Sequence, residues 1–337
     1  MKVPMRFGLC AALAVFAITG VAASPALAGE AHPIEHTGFE TDTFSNPNGI
    51  AVEESTADVY VAELGTNTVS KFDANGKPVN FTCGAPCSTY VTGNQITGTP
   101  SGSFLFPNEP GDRNPAAIAV DNSTSASDPS AGDLYVMDAG HKVIDKFSPS
   151  GVYLSQITGP FSGTAGELLG FGVDASGDVR VDVNPSGTSF GLAAIDVFDS
   201  SVANNFVAPL VESGNGGTLP GVSEGGFAVA PSGDSYLLLS CGCLEKFGPH
   251  MAELGRVDGG PADVAAAVDP ATGHVYVDDQ SSVDEWDTGA MNRKTHTNEI
   301  EEQGEETPSG ALVSSFGSLQ LSSSSGQGGI SQPNMSE

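Results

Sequence analysis

Apolar and polar residues alternate with period two along most of the chain, in short runs that end on turn residues. Such alternation is strand periodicity, because successive side chains leave a β-strand on opposite faces. No segment sustains a helical period. The runs recur in one order. A short apolar strand opens on Gly or Ala and meets an acidic turn. A second strand carries an aromatic. A third ends on an aromatic, usually preceded by Lys or an acid. The first copy reads Pro47 to Val52, Asp58 to Glu63 and Thr68 to Asp73. The second reads Pro115 to Asp121, Asp133 to Asp138 and Lys142 to Phe147. The third reads Gly170 to Asp174, Asp178 to Asp182 and Ala194 to Asp199. The fourth reads Gly225 to Val229, Asp234 to Leu239 and Leu244 to Phe247. The fifth reads Ala265 to Asp269, His274 to Asp278 and Val283 to Asp287.

The aligned valines Val52, Val120, Val173, Val229 and Val268 are spaced by 68, 53, 56 and 39 residues. The shortest spacing is close to the ~40 residues of a four-stranded propeller blade, and the longer units carry loop insertions. Asp-Ala-Asn-Gly at 73–76, Ser-Pro-Ser-Gly at 148–151 and Ala-Pro-Ser-Gly at 230–233 supply turn chemistry at strand ends. Fourth, outer strands are readable at Val152 to Ile157 and Met251 to Val257. One small sheet cannot bury both of its faces, whereas sheets packed around an axis can. The expected fold is all-β, a β-propeller with about five recognisable four-stranded blades. The once-per-unit aromatics Phe72, Phe147, Phe198, Phe247 and Trp286 are expected as core between blades rather than a sugar-stacking set.

The strings Pro47-Asn-Gly-Ile-Ala-Val52, Val59-Tyr-Val-Ala-Glu63 and Val69-Ser-Lys-Phe-Asp73 resemble the NHL-repeat family of β-propellers. The resemblance covers roughly residues 40–330. It is close in the first two units and loose in the other three. It implies a propeller, usually six-bladed, used mostly as a rigid interaction surface. Some relatives are lyases or lactonases with a metal on the propeller axis.

The readable units stop short of six. Five acids, Glu299, Glu301, Glu302, Glu305 and Glu306, interrupt the fifth unit and read as a solvated, flexible insertion over 288–308. Its outer strand resumes at Gly310 to Phe316, and Gly328-Gly-Ile330 opens a sixth copy. The ring is therefore expected to be an incomplete six-bladed one. His36 to Asp42 is available as an outer strand, and an apolar patch is expected on the side of the fifth unit around Trp286.

The N-terminal stretch is read as a targeting segment. Lys2 and Arg6 form a basic n-region, Phe7 to Val21 an apolar h-region, and Ala26-Leu27-Ala28 a cleavage site. The domain reading is thus a signal peptide over 1–28, a propeller over 29–330 and a disordered tail over 331–337. No later run is apolar enough to span a bilayer. The expected location is secreted or at the cell envelope. Of 337 residues, 12 are Lys or Arg and 41 are Asp or Glu, a formal charge of -29. That balance argues against nucleic acid and anionic membrane as partners, since both are bound through basic patches.

Export permits disulfides. Four cysteines follow the leader: Cys83, Cys87, Cys241 and Cys243. Cys83 and Cys87 bracket Gly84-Ala-Pro86 and are expected to pair. Cys241 and Cys243, two apart on a strand, either pair or stay reduced. A zinc site on the four thiolates is the alternative.

The acids ending the second strands, Glu63, Asp138, Asp182 and Asp278, are candidate metal ligands, an oxygen set of the type that suits calcium. Their recurrence favours a local turn device instead. Asp58 and Asp133 are read as structural, opening the second strand after a turn. His32, His36, His141, His250, His274 and His296 share no repeat position, which argues against a histidine-ligated zinc. No Gly-x-Ser-x-Gly elbow supports a serine hydrolase. No catalytic residue is assigned. The expected function is a non-enzymatic scaffold binding a protein, peptide or glycan. The alternative is a metal-dependent lyase or lactonase with a site on the axis.

Overall fold

A computed structural model describes residues 44–107, 117–161, 167–184, 194–210, 223–239, 243–249, 253–258, 265–278, 283–288 and 311–316. All belong to one compact unit, His36–Glu337. The residues of the leader, of His36 to Asp42, of the acidic run and of Gly328 to Ile330 lie outside that set.

Five antiparallel sheets follow one another and form a five-bladed β-propeller. The first blade holds β1 (Pro47–Glu53), β2 (Asp58–Glu63), β3 (Thr68–Phe72) and the short β4 (Val91–Thr92) and β5 (Gln95–Ile96), in the order β1-β2-β3-β5-β4. A small ribbon, β6 (Gly98–Thr99) with β7 (Gly102–Ser103), leads out of it. The second blade holds β8 (Ile118–Val120), β9 (Leu134–Asp138), β10 (Val143–Phe147) and β11 (Tyr153–Ile157). The third holds β12 (Glu167–Val173), β13 (Val179–Asn184), β14 (Ala194–Phe198) and β15 (Phe206–Leu210). The fourth holds β16 (Ser223–Val229), β17 (Ser235–Leu239), β18 (Cys243–Phe247) and β19 (Glu253–Asp258). The fifth holds β20 (Ala265–Val268), β21 (Val275–Asp278), β22 (Val283–Asp287) and β23 (Ala311–Phe316).

The alternation seen in the sequence becomes two apolar faces per blade. The face turned to the preceding blade, here called leading, carries Ile118, Val120, Leu134, Val136 and Phe147 in the second blade. These pack with Tyr60, Ala62 and Val69 of the first blade, on its trailing face. The scheme repeats between the second and third blades, with Tyr135 and Met137 against Phe171, Val179, Val181 and Phe198. Ile195 meets Phe227, Leu237 and Phe247 across the next interface, and Tyr236 and Leu238 meet Val275 and Val277 across the last. First strands lie beside one another in sequence order, β1 to β8, β12, β16 and β20. Where β12 meets β16 the approach is so close that a Cβ on Gly172 would lie 2.7 Å from Val229 Cγ2.

The turns behave as their residues dictate. Gly76, Gly151 and Gly233 take φ of 76°, 91° and 81°, a region where a Cβ is strained. Each donates its N–H to the carbonyl that opens the turn, on Asp73, Ser148 and Ala230. A register shift precedes the third-strand aromatic in four blades, between Lys146 and Phe147, Val197 and Phe198, Lys246 and Phe247, and Glu285 and Trp286. Phe72, Phe147, Phe198 and Phe247 are buried, as core between blades should be.

The first blade departs from the common four-stranded pattern, and the expectation for Trp286 needs correction. In the first blade no long fourth strand follows Phe72. The stretch that follows the Cys83–Cys87 bridge fills that place with the two short strands β4 and β5. On the fifth blade, Trp286 does not mark the uncovered side. It lies on the leading face, packed against the fourth-blade core, whereas along β20 the exposed residues are Ala265 and Ala267.

Candidate functional site

The residues with polar chemistry concentrate at the two ends of the blades. At one end sit the acids that close the second strands. Glu63 accepts the backbone N–H of Ser45 at 2.9 Å and the Ser70 hydroxyl at 2.7 Å. Asp138 accepts the N–H of Leu105 at 3.1 Å and that of His141 at 3.3 Å, and lies 2.8 Å from His141 Nδ1. Ser45 and Leu105 hold the same place in their connectors. Each follows a phenylalanine that caps the third-strand aromatic: Phe44 on Phe72 at 5.6 Å, Phe104 on Phe147 at 6.0 Å. Both acids therefore clamp the chain as it enters a blade. Asp182 is fully buried at the matching position, and Asp278 is half-buried. Among the described residues, no three His, Cys, Asp or Glu side chains are placed to hold one metal ion.

Behind Asp138 lies Asp145, 1% exposed, with its Oδ1 free of hydrogen bonds. Burial, and then the Asp138 charge, push its carboxyl up to about 7, while His141 opposes the shift. The third-strand position of Asp145 is held by Ser70 in the first blade, which donates to its acid partner instead.

At the opposite end a buried clamp recurs. Lys71 Nζ lies 2.8 Å from Asp58 and 5.3 Å from the Tyr60 ring centroid. Lys146 Nζ lies 3.4 Å from Asp133, 3.2 Å from Asn204 Oδ1 and 5.2 Å from the Tyr135 ring. Lys246 repeats this with Asp234 at 3.2 Å and Tyr236 at 5.6 Å. In the third blade Arg180 takes the tyrosine position and pairs with Asp174 at 3.2 Å. In the fifth the order is reversed. His274 stands for the aspartate and Glu285 for the lysine, 2.7 Å apart, and the Tyr276 hydroxyl also donates to Glu285. Burial raises Asp133 to about 6 despite the opposing Lys146 charge. Burial likewise raises Asp121 to about 6, with Asp128 and Asp133 adding to the shift.

Asp58 and Asp133 are thus each engaged by a lysine of their own blade. Their lysine partners were missed, although Lys-Phe recurs at Lys71-Phe72, Lys146-Phe147 and Lys246-Phe247. Of the six histidines, His141 and His274 are described, and each contacts an acid of its own blade. Cys83 and Cys87 are disulfide-bonded, with Cα atoms 5.9 Å apart. Cys243 is also in a disulfide, whose other half lies outside the described residues.

No family model matches the chain, and no curated protein does. Solved structures do resemble it. One is a nidogen/laminin complex, 14% identical, with a TM-score of 0.45 over 74% of this chain and 78% of the other. Another is a gluconolactonase from Xanthomonas campestris, 14% identical, TM-score 0.45, covering 73% and 74%. A third is hydrazine synthase from Kuenenia stuttgartiensis, 12% identical, TM-score 0.42, covering 68% and 80%. Neither a binding nor a catalytic role follows from likenesses at these values.

Proposed function

We propose that this chain is an NHL-like propeller, exported from the cytoplasm, that serves as a non-enzymatic scaffold binding a protein, peptide or glycan. The observation that carries the reading is the use made of the recurring acids. Glu63 and Asp138 are engaged by backbone N–H groups of the connectors, so their repetition serves the blade joints. Export is supported by the basic-apolar-small pattern of the first 28 residues and by the disulfide, a bond that persists in oxidising compartments. Among the described residues no helix is long and apolar enough to cross a membrane. The formal charge of -29 favours a neutral or basic partner surface.

The test pairs binding with turnover. The mature protein is applied to glycan and peptide arrays, and in parallel to a panel of sugar lactones with calcium or zinc. Retention on an array without metal-dependent turnover supports the scaffold. Lactone hydrolysis that chelation abolishes and Glu63→Gln removes, in a variant that still folds, overturns it in favour of the metalloenzyme.

A further inference from the structure

The first strands of the blades share one alternation of small and large residues. Four of them read Gly49-Ile-Ala-Val52, Ala117-Ile-Ala-Val120, Gly170-Phe-Gly-Val173 and Gly226-Phe-Ala-Val229; the fifth, Ala265-Ala-Ala-Val268, keeps the large residue only at its end. Successive side chains of a strand take opposite faces, so the small pair turns to the following blade and the large pair to the preceding one. The joints are built on this. Ile118 and Val120 pack with Ala51. Phe171 and Val173 pack with Ala117 and Ala119. A Cβ on Gly170 would lie 2.8 Å from Phe227 Cβ, and one on Gly172 2.7 Å from Val229 Cγ2. Ala266 and Val268 pack with Ala228. Each large pair thus enters the space left by the small pair of the strand before it. The pairs at the two ends of the series are exposed instead. Ile50 is 64% and Val52 45% exposed, against 7% for Ile118 and for Val120. Ala265 and Ala267 are exposed as well.

The alternation returns once after β23, as Gly329-Ile-Ser-Gln332. Gly329-Ile330 repeats Gly49-Ile50, Ser331 stands for the second small residue, and Gln332 replaces the valine. Between Phe316 and Gly329 lie 12 residues. The corresponding connections, from a fourth strand to the next small-large run, are 12, 15 and 6 residues after the second, third and fourth blades. We infer that Gly329 to Gln332 of the same chain seats between β20 and β1 as a further first strand, Gly329 and Ser331 receiving Ile50 and Val52, and Ile330 entering at Ala265. First strands lie beside one another in sequence order, so the next falls beyond β20, and a radial array brings it round to β1. Two observations make the occupant this segment rather than a second copy. The 12-residue connection tethers it, which keeps its effective concentration high. Residues 317–336 hold no Asp, Glu, Lys or Arg, so the segment docks without the repulsion that two chains of formal charge -29 meet.

The test is a crosslink within the full chain. At the matching joint a Cβ on Gly172 would stand 2.9 Å from Val229 Cβ, so cysteines at 331 and 52 fall within reach of a disulfide. The double variant Val52→Cys with Ser331→Cys is oxidised with oxidised glutathione at low protein concentration. A 52–331 link in the monomer is expected, and none for Val52→Cys with Gln332→Cys, whose second cysteine faces the fifth blade. In the single variant Val52→Cys, adding Gly329→Trp fills the small position and should speed maleimide labelling of position 52 several-fold. Absence of the link overturns the inference, and so does labelling that Gly329→Trp leaves unchanged. Equal linking of 331 and 332 to position 52 overturns it too, because no register is then held. A 52–331 link found only between chains, when the two single variants are mixed, assigns the strip to a second copy instead.

Discussion

Lys146 and Asp133 face each other across neighbouring strand positions inside the second blade, 3.4 Å apart, with the lysine side chain 1% exposed. Such a pair adds little by existing, but removing one partner strands a buried charge. Asp133→Ala should therefore cost about 3–5 kcal/mol, more than the ~1 kcal/mol of a lost capping bond. Asp58→Ala acts through Lys71 in the same direction. Asp133→Ala combined with Lys146→Met should recover much of the loss in urea unfolding. A double variant as unstable as the single one contradicts the pairing.

Asp145 sets a pH dependence. Its ordinary value of 3.8 is raised to about 7 in the folded protein, chiefly by burial. The folded state then holds this proton more tightly than the unfolded state does. The associated stability is fully present below about pH 4 and is lost as pH rises through about 7. Asp121 and Asp133, both raised to about 6, act with the same sign. Asp145→Asn should flatten the stability profile between these limits and equal or exceed the parent at pH above about 7. A parent profile that rises over this window contradicts the assignment.

Gly172 is a packing requirement. A Cβ there meets Val229 Cγ2 at 2.7 Å and Cβ at 2.9 Å, with the neighbouring first strand directly behind. Gly172→Val should destabilise by about 1–3 kcal/mol through overpacking. Gly172→Val combined with Val229→Ala should return part of that in thermal denaturation. No loss in the single variant means the strands stand further apart.

The cysteine assignment is open to direct mapping. Peptides from the non-reduced protein should contain the Cys83–Cys87 link. A link from either residue to Cys243 contradicts it.

The sequence carried the repeat because strand alternation and a closing aromatic leave a visible period. Glu63 and Asp138 were visible as recurring acids, but their partners were not. Those partners are the backbone N–H groups of Ser45 and Leu105, which carry no side-chain signal. The lysine clamp left a readable trace in Asp58-x-Tyr60 with Lys71-Phe72; Asp-x-Tyr recurs at Asp133 and Asp234, with the lysine 13 residues after Asp58 and Asp133 and 12 after Asp234. Its meaning needed the antiparallel register that sets Tyr60 opposite Lys71 and Tyr135 opposite Lys146. Period two also separates two faces without saying which looks forward. The uncovered side of the fifth blade was therefore placed at Trp286 rather than at Ala265 and Ala267. Asp145 was passed over because a lone acid on an apolar strand reads as a surface position.

The proposed scaffold has Glu63 and Asp138 clamping the chain that enters their blades rather than a metal. The most direct measurement is the melting temperature of the parent and of Glu63→Ala, each in chelator and in excess calcium. Calcium should leave the parent unchanged, and Glu63→Ala should melt several degrees lower in both conditions. A parent stabilised by calcium, with Glu63→Ala matching it in chelator and losing only the calcium response, would mean that Glu63 serves a metal instead.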